Sequence, residues 1–511
     1  MIPYRKTIAI TSAAVVASLM WGFCAILFPR HPALAQVQPG ASVIRIASPV
    51  LVTTPRLAAD QFENTICASS SNPRQLLIGV MQAVNENVTV TTADTPADSD
   101  VDYYTSSDEG ASWRLALQVR HNLTNDPTCA FGPDGTMYAM AEWPLVAHDA
   151  SPNRPFPRYI VGSALALFES IDTGKHWIQI DQTIAENNRM SWGFDRPWIA
   201  VDQSSARWRG TVYWAVRYTV FIISKTIFGR TWVAPPGGDG EYIGRVAAHG
   251  TVIHKSNLMR FYDSVLMTGQ LGVLSDGTIV SAMMDSGNGR DVLGLPLPPA
   301  GTLWALVSTD GGRTVTRKVI GNRKMLNGDG IHHLPEAHWL PAVAVDRSSG
   351  PFRDRVYVAW TEASTGRKQI WVTHSIDVRK GKWASPRVVD DSRPFDPHRL
   401  WLGPNNMNQA IAVNDKGVVG LFWGDRRNNP HGGYQPRFMA SLDGGRTWSA
   451  SVPVTKKSVS SPGFTEPGDH WGMTADAAGV FHPVWLAPYQ KNNQVFTTSI
   501  TVEKSGPIAN H

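Results

Sequence analysis

One short motif recurs along this chain and constrains its fold more than any other feature. The pattern Ser-x-Asp-x-Gly-x-Thr/Ser-Trp is complete twice, has His176 in place of the hydroxyl once, and has Val315 in place of the tryptophan once. Two further copies carry one-residue insertions. Complete or altered, the copies occupy residues 106–113, 170–177, 224–232, 308–315, 375–383 and 441–448, and their ends lie 55 to 83 residues apart. A period of that size predicts stacked or radial repeats.

The chemistry of the motif is that of a tight turn. Aspartate and serine side chains bond nearby backbone N–H groups, glycine adopts positive φ, and the tryptophan packs beneath the turn. We therefore assign a structural role to the motif aspartates, which are Asp108, Asp172, Asp310, Asp377 and Asp443.

Each repeat also carries strand-like runs around the motif. Two β-rich runs joined by a short turn precede it, as at 198–202 and 211–216, a third run leads into it and a fourth leaves it. This arrangement predicts an all-β fold of four-stranded antiparallel blades. Gly and Pro are abundant and charged residues make up 17%, below the usual ~25%, which agrees with many turns and short strands.

The motif and its spacing resemble the Asp-box (bacterial neuraminidase repeat) family of β-propellers, which includes the sialidases. The resemblance implies one propeller domain over residues 36–511. In that family the box marks the fold and is shared by enzymes and non-enzymes. The family's early Arg-Ile-Pro motif is absent, and Arg45-Ile46-Ala47 is only a partial match.

The two ends of the exported chain complement each other. Residues 470–502 repeat only three strands, and residues 43–51 form an unclaimed apolar strand before the first repeat. We expect the N-terminal strand to complete the last blade and close the ring, which leaves no sheet edge exposed. This gives seven blades, or six if a degenerate motif does not mark a blade.

The N-terminus has the features of an export signal. Arg5 and Lys6 precede an apolar stretch from residue 8 to 28, and Ala33-Leu34-Ala35 provides a small-residue cleavage site. We predict a signal peptide over residues 1–35; an uncleaved membrane anchor is the alternative. This segment holds much of the formal charge of +5, and no Lys/Arg run follows, which argues against a nucleic-acid partner.

Two cysteines follow the predicted cleavage site. Cys67 and Cys129 occupy equivalent places in the first strands of repeats 1 and 2. Adjacent blades bring such strands together, and export permits oxidation, so a disulfide is one interpretation. Two buried free thiols are the other.

Long insertions fall on the face opposite the motif turns, and long loops carry function more often than tight turns do. Carboxylates there suit glycosidic chemistry, arginines suit a carboxylate-bearing sugar, and aromatic rings suit a sugar face. The candidate catalytic residues are Glu362, Asp425, Asp285 and Tyr218. The candidate substrate-binding residues are Arg196, Arg217, Arg426, Arg427, Trp143, His338, Trp339, His470 and Trp471.

Two functions fit these residues. The first is an exported sialidase-like glycoside hydrolase acting on acidic sugars, periplasmic or extracellular; the second is a non-catalytic propeller that binds a glycan or a protein. We expect a glycan or glycoconjugate partner, no cofactor and no metal, and membrane contact only through an uncleaved N-terminal segment. The sequence does not define the oligomeric state.

The signal-peptide prediction is tested by expressing the full chain in an exporting host. We expect a secreted or periplasmic protein whose intact mass begins at Gln36. A protein that stays in the membrane fraction with residues 1–35 attached would instead establish the anchor.

Overall fold

The computed structural model describes most of the chain after residue 41. The described residues are 42–53, 59–83, 99–121, 124–148, 158–186, 193–204, 207–218, 222–226, 229–233, 240–250, 253–255, 259–260, 266–285, 288–290, 296–297, 301–323, 340–362, 367–393, 406–429, 433–459, 471–490 and 492–504. All of them belong to one compact unit, residues 35–511.

Seven antiparallel sheets of this unit form the blades of a β-propeller. The N-terminal segment supplies β1 (Ser42–Ile46) and β2 (Val50–Leu51). Blade 1 contains β3 (Gln61–Ala68), β4 (Leu76–Ala83), β5 (Ser99–Ser106) and β6 (Arg114–Val119). Blade 2 contains β7 (Asn125–Phe131), β8 (Met137–His148), β9 (Arg158–Ser170) and β10 (Ile178–Glu186).

Blades 3 and 4 each carry an extra hairpin between their second and third strands. Blade 3 contains β11 (Phe194–Val201), β12 (Val212–Tyr218), the hairpin β13 (Ile222–Thr226) and β14 (Gly229–Val233), then β15 (Gly240–Val246), β16 (Ile253–Lys255) and β17 (Met259–Arg260). Blade 4 contains β18 (Leu266–Val273), β19 (Ile279–Asp285), the hairpin β20 (Asn288–Arg290) and β21 (Pro296–Leu297), then β22 (Gly301–Ser308) and β23 (Thr316–Arg323).

The last three blades have short outer strands. Blade 5 contains β24 (Ala342–Val345), β25 (Val356–Glu362), β26 (Gln369–Asp377), β27 (Lys382–Trp383) and β28 (Arg387–Val388). Blade 6 contains β29 (Met407–Val413), β30 (Val419–Asp425), β31 (Gln435–Ser441) and β32 (Val452–Pro453). Blade 7 contains β33 (Met473–Ala475), β34 (Phe481–Tyr489), β35 (Asn492–Thr497) and β36 (Ile500–Lys504).

The innermost strands close into a ring. Each contacts the innermost strand of the next blade, in the order β3, β7, β11, β18, β24, β29 and β33, and β33 returns to β3. Residues of these seven strands and of the turns that follow them, both apolar and polar, line a central channel of about 440 Å³. The all-β, seven-bladed propeller is therefore confirmed.

Closure uses the N-terminal segment. Ser42 pairs with Lys504 and Ile46 with Ile500, while Val50 pairs with Thr497. β1 and β2 thus form the outermost strand of blade 7, interrupted at 47–49. This confirms closure by an N-terminal strand and seven blades rather than six.

One predicted motif is misplaced. The sequence predicts residues 224–232 after the third strand of their repeat, but they lie in the β13–β14 hairpin, where Ser224 pairs with Thr231. The third strand is β15, followed by a turn at 247–250. Glycine is also common in hairpin turns, so a degenerate copy that has lost the motif aspartate does not fix its own position.

The four well-formed copies fold into the same turn between third and fourth strands. In blade 6, Ser441 Oγ accepts from Gly445 N at 2.9 Å, and Asp443 Oδ1 accepts from Thr447 N at 2.8 Å. Corresponding bonds recur at Ser106, Ser170 and Ser308. Because these side chains satisfy turn N–H groups, each turn is fixed before any neighbouring blade packs on it.

Arginines from a preceding blade bond the turns. Arg245 Nη1 donates to the Gly311 carbonyl at 2.6 Å, and Arg355 Nη1 donates to the Gly444 carbonyl at 2.7 Å. Arg114 does the same to Gly174 at 3.1 Å. The repeated turns therefore also join blade 1 to 2, 3 to 4 and 5 to 6.

A disulfide crosslinks blades 1 and 2. Cys67 of β3 and Cys129 of β7 are bonded, with their Cα atoms 5.9 Å apart. Both lie on innermost strands, so the bond reinforces the ring where its blades are closest. The described residues contain no helix that is long and apolar enough to cross a membrane.

The Cys129→Ser variant tests the contribution of this disulfide. A crosslink between residues 62 apart in sequence removes chain entropy worth about 4 kcal/mol from the unfolded state. We expect a fall of about 3–4 kcal/mol in the free energy of unfolding, measured by denaturant titration. Reductant should lower the wild-type stability and leave the Cys67→Ser, Cys129→Ser double variant unchanged; equal sensitivity of both proteins would contradict this.

Candidate acidic site

The face opposite the motif turns is formed where first strands begin and second strands end. We call it the insertion face. Equivalent positions at the ends of the second strands hold Tyr218, Asp285, Glu362 and Asp425. The topology therefore brings the predicted carboxylates to one face, although only three of these four side chains are described, since that of Asp285 lies outside the described part.

A β-bulge recurs near the start of the innermost strands on this face. The register shifts between Phe62 and Asn64 in blade 1, with corresponding shifts in blades 2, 3 and 6. The bulges place non-glycine residues in the left-handed region: Glu63 (φ 46°), Asp126 (φ 46°), Arg196 (φ 55°) and Asn408 (φ 49°). Bulges re-aim side chains, and such strain persists only where packing enforces it.

In blades 2 and 3 these bulges assemble a cluster that we call the acidic site. One carboxylate oxygen from each of Asp126, Glu142 and Asp195 lies within 4.8 Å of the others. Arg217 Nη1 donates to Asp195 Oδ2 at 2.6 Å, and Arg196 Nη1 donates to the same oxygen at 3.3 Å. The Arg196 backbone N–H donates to Asp126 at 3.0 Å, which ties the two blades together.

The three carboxyl groups are not equivalent. The Asp195 side chain is 20% exposed, whereas Glu142 is 4% exposed and its Oε2 has no hydrogen-bond partner. Burial, with the charges of Asp126 and Asp195, raises the pKa of Glu142 well above its usual range, against the opposing charges of Arg196 and Arg217. Glu142 is thus the buried carboxyl group with the raised pKa, beside the more exposed Asp195 that two guanidiniums bond.

Carboxylate oxygens at this spacing are also ligands that Ca²⁺ accepts. However, the guanidiniums of Arg196 and Arg217 already supply two positive charges against three carboxylates. One proton on Glu142 brings the total charge to zero, and a divalent cation would leave it positive. The charge balance favours a proton over a metal ion.

Glu362 and Asp425 lie in different settings. The Trp360 indole donates to Glu362 at 3.0 Å, and the Trp423 indole donates to Asp425 at 3.0 Å. Asp425 has no exposed surface and also accepts from the backbone and side chain of Arg427, which in turn bonds Asp391. Asp425 is held in a buried ion-pair network and presents no oxygen to a ligand in this arrangement.

The other predicted binding residues fall into three groups. Arg196 and Arg217 lie in the acidic site, with Tyr218 edge-to-face against Phe194 at 6.1 Å. Trp143 stacks on His121 at 3.9 Å, Trp471 packs in the core 4.9 Å from Tyr434, and Arg426 donates to the Gly433 carbonyl. Residues His338, Trp339 and His470 lie outside the described residues.

Sequence analysis missed Asp126 and Glu142. Glu142 immediately precedes Trp143, and a one-residue step along a strand moves the side chain to the opposite side of the sheet. Asp126 could have been found, because Pro127 follows it just as Pro197 follows Arg196. A proline inside a strand is confined to edges and bulges, so the pair marked the strained position.

A second buried glutamate lies on the neighbouring strand. Glu241 in β15 is 1% exposed, its Oε1 accepts from Ser281 Oγ at 3.3 Å, and its Oε2 has no partner. Burial raises the pKa of Glu241 to about 8, and the serine bond offsets this only in part. It therefore keeps its proton at neutral pH.

Comparisons with known proteins give distant similarities. No protein-family model and no curated protein matches the chain. Similar solved structures include a protein of unknown function from Dyadobacter fermentans DSM 18053, with 11% identity, covering 91% of this chain and 100% of that chain at a TM-score of 0.48.

Two enzymes are also among these structures. The alpha-L-arabinanase of Penicillium chrysogenum complexed with arabinobiose has 11% identity over 90% of this chain and 97% of its own, with a TM-score of 0.40. A mutant of NanB sialidase from Streptococcus pneumoniae has 10% identity over 90% of this chain and 98% of its own, with a TM-score of 0.42. Similarities this weak do not identify catalytic or binding residues in this chain.

The Glu241→Gln variant tests whether burial raises the pKa of the Glu241 carboxyl group, through the pH dependence of the free energy of unfolding. The folded pKa lies above the unfolded value, so folding retains a proton, and stability falls as pH rises from about 4.5 to about 8. We expect the variant to lose part of this fall, up to a few kcal/mol, in unfolding titrations between pH 5 and 8. Parallel pH profiles of wild type and variant would show that Glu241 is ionised in the folded protein.

Proposed function

We propose that this chain is an exported glycan-acting propeller whose acidic site hydrolyses a glycosidic bond. Glu142 is the proton donor and Asp195 the nucleophile. The observation that carries the proposal is the pairing of a buried carboxyl group, whose pKa burial raises, with a more exposed one that two arginines bond. Two carboxyl groups whose environments push their pKa values apart are typical of acid and base roles.

The spacing supports a particular outcome. The carboxylate oxygens of Glu142 and Asp195 lie within 4.8 Å of each other. Retaining glycosidases hold their carboxyl groups about 5–5.5 Å apart, whereas inverting ones need about 6.5–9.5 Å to admit a water. The distance therefore favours retention, with Asp195 attacking the anomeric carbon and Glu142 protonating the leaving oxygen.

One observation favours the alternative of a non-catalytic glycan-binding propeller. Glu142 is almost wholly buried, so its carboxyl group must become accessible before it can protonate a ligand. A purely binding protein needs no such access. Turnover separates the two functions.

The experiment compares wild type with Glu142→Gln and Asp195→Asn on a panel of fluorogenic glycosides. We expect turnover by the wild type and losses of at least about a hundredfold in kcat with each variant, since acid–base groups typically contribute 10²–10⁴-fold. The alkaline limb of the pH profile should disappear in Glu142→Gln. Retention is checked by following the anomeric configuration of the first product.

Two controls accompany these variants. Asp276→Asn removes a carboxylate from an exposed ion pair with Arg379 on the motif-turn face, and its activity should match wild type. Glu362→Ala with Asp425→Ala tests the residues predicted from sequence, and we expect mainly lost stability because Asp425 is buried with Arg427. If the folded wild-type protein turns over none of the glycosides, the hydrolase proposal is wrong, and the non-catalytic glycan-binding function is the one supported.

A further inference from the structure

We infer that the sugar held at the acidic site is uncharged and carries no carboxylate. This inference rests on the proposed function only in placing a glycan at the acidic site. The sequence alone predicts an acidic sugar, because several arginines lie on this face. The inference from the structure differs from that prediction. The reason is that three of those four arginines are engaged by carboxylates of the protein itself, and the fourth, Arg426, donates to a backbone carbonyl.

Arg217 and Arg196 are the arginines closest to the candidate reacting groups. Arg217 is 5% exposed and donates to Asp195 at 2.6 Å, and Arg196 donates to the same carboxylate at 3.3 Å. A sugar carboxylate would have to displace Asp195 from both guanidiniums. That exchange gains little, because one carboxylate contact replaces another.

The other two predicted arginines are also engaged. Arg427 donates to Asp425 at 2.8 Å and to Asp391 at 2.5 Å. Arg426 is part-buried, and its Nε donates to the Gly433 carbonyl at 3.0 Å. Arg427 thus has its paired N–H groups committed to carboxylates of the protein, and Arg426 has its Nε committed to a backbone carbonyl.

Charge gives a second, independent reason. Three carboxyl groups face two guanidiniums, so the acidic site is neutral when Glu142 is protonated and negative when it is not. With the carboxylates of Asp126 and Asp195 set against the guanidiniums of Arg196 and Arg217, no net positive charge remains to attract an incoming carboxylate.

Hydroxyl groups fit the site better. The Oε2 of Glu142 is buried without a hydrogen-bond partner, and one oxygen each of Asp126 and Asp195 lies within 4.8 Å of a Glu142 oxygen. A hydroxyl near the centre of these oxygens is within donor distance of more than one of them. Uncharged sugars supply such donors without adding negative charge.

The test measures glycan binding and turnover with matched pairs, such as a fluorogenic β-galactoside against the β-glucuronide, and arrayed neutral oligosaccharides against sialylated or uronic-acid ones. We expect at least about a tenfold preference for the uncharged member, because a sugar carboxylate loses its hydration without gaining a free guanidinium partner at the acidic site. Asp195→Asn releases Arg196 and Arg217 and should shift this ratio at least about fivefold toward carboxylate-bearing glycans.

Asp276→Asn is the matched control, because it removes one negative charge and releases Arg379 on the opposite face. It should leave the ratio unchanged. A wild-type preference for acidic glycans, equal ratios in Asp195→Asn and Asp276→Asn, or no binding of any uncharged glycan overturns the inference. Neutral-glycan binding with the Asp195-dependent shift but without turnover supports it and refutes hydrolysis alone.

Discussion

The contact of each innermost strand with the next one is the constraint on which this propeller depends. A four-stranded blade has two apolar faces and cannot bury either by itself. Only when β33 returns to β3 does every blade have two neighbours. Large indoles such as Trp214, Trp360 and Trp423 occupy the second strands and are wholly buried. The ring thus converts seven separately marginal sheets into one cooperative core.

The same packing forces the chemistry of the insertion face. At blades 2 and 3 the bulged inner strands bring Asp126 and Arg196 into left-handed conformations and close contact. Burial then separates the protonation states of neighbouring carboxyl groups, since a charge in a dry interface is costly unless paired. Asp195 has two guanidinium partners, whereas burial raises the pKa of Glu142 well above its usual range.

Much of the fold could be predicted from the sequence, because turn chemistry is local. The bonds of Ser441 and Asp443 depend on residues within four positions of each other. Counting strands predicts closure by residues 43–51, and the structure pairs residues 42–46 and 50–51 with blade 7. The predicted position of the motif at 224–232 is wrong because this degenerate copy lacks most of the residues that make those bonds. Without them, the sequence does not distinguish this hairpin from the turn after the third strand. Only part of the candidate site is predictable from the sequence. Arg196 and Arg217 stand at polar strand ends, which the sequence shows directly. Their hydrogen bonds to Asp195 depend on how β11 and β12 pair, and the spacing of residues along the sequence does not reveal that pairing.

The closing strand also imposes an order on folding. Residues 42–46 pair with residues 500–504, more than 450 positions later in the chain. During synthesis the first of these segments is made long before the second, and non-local pairing of this kind is slow. Blades 1 to 6 contain all their own strands and can form as the chain emerges, whereas blade 7 waits for both ends. The last step of folding is therefore the pairing of β1, which is made first, with β36, which is made last. A chain that ends before β36 leaves β1 without its partner strand and exposes an open sheet edge.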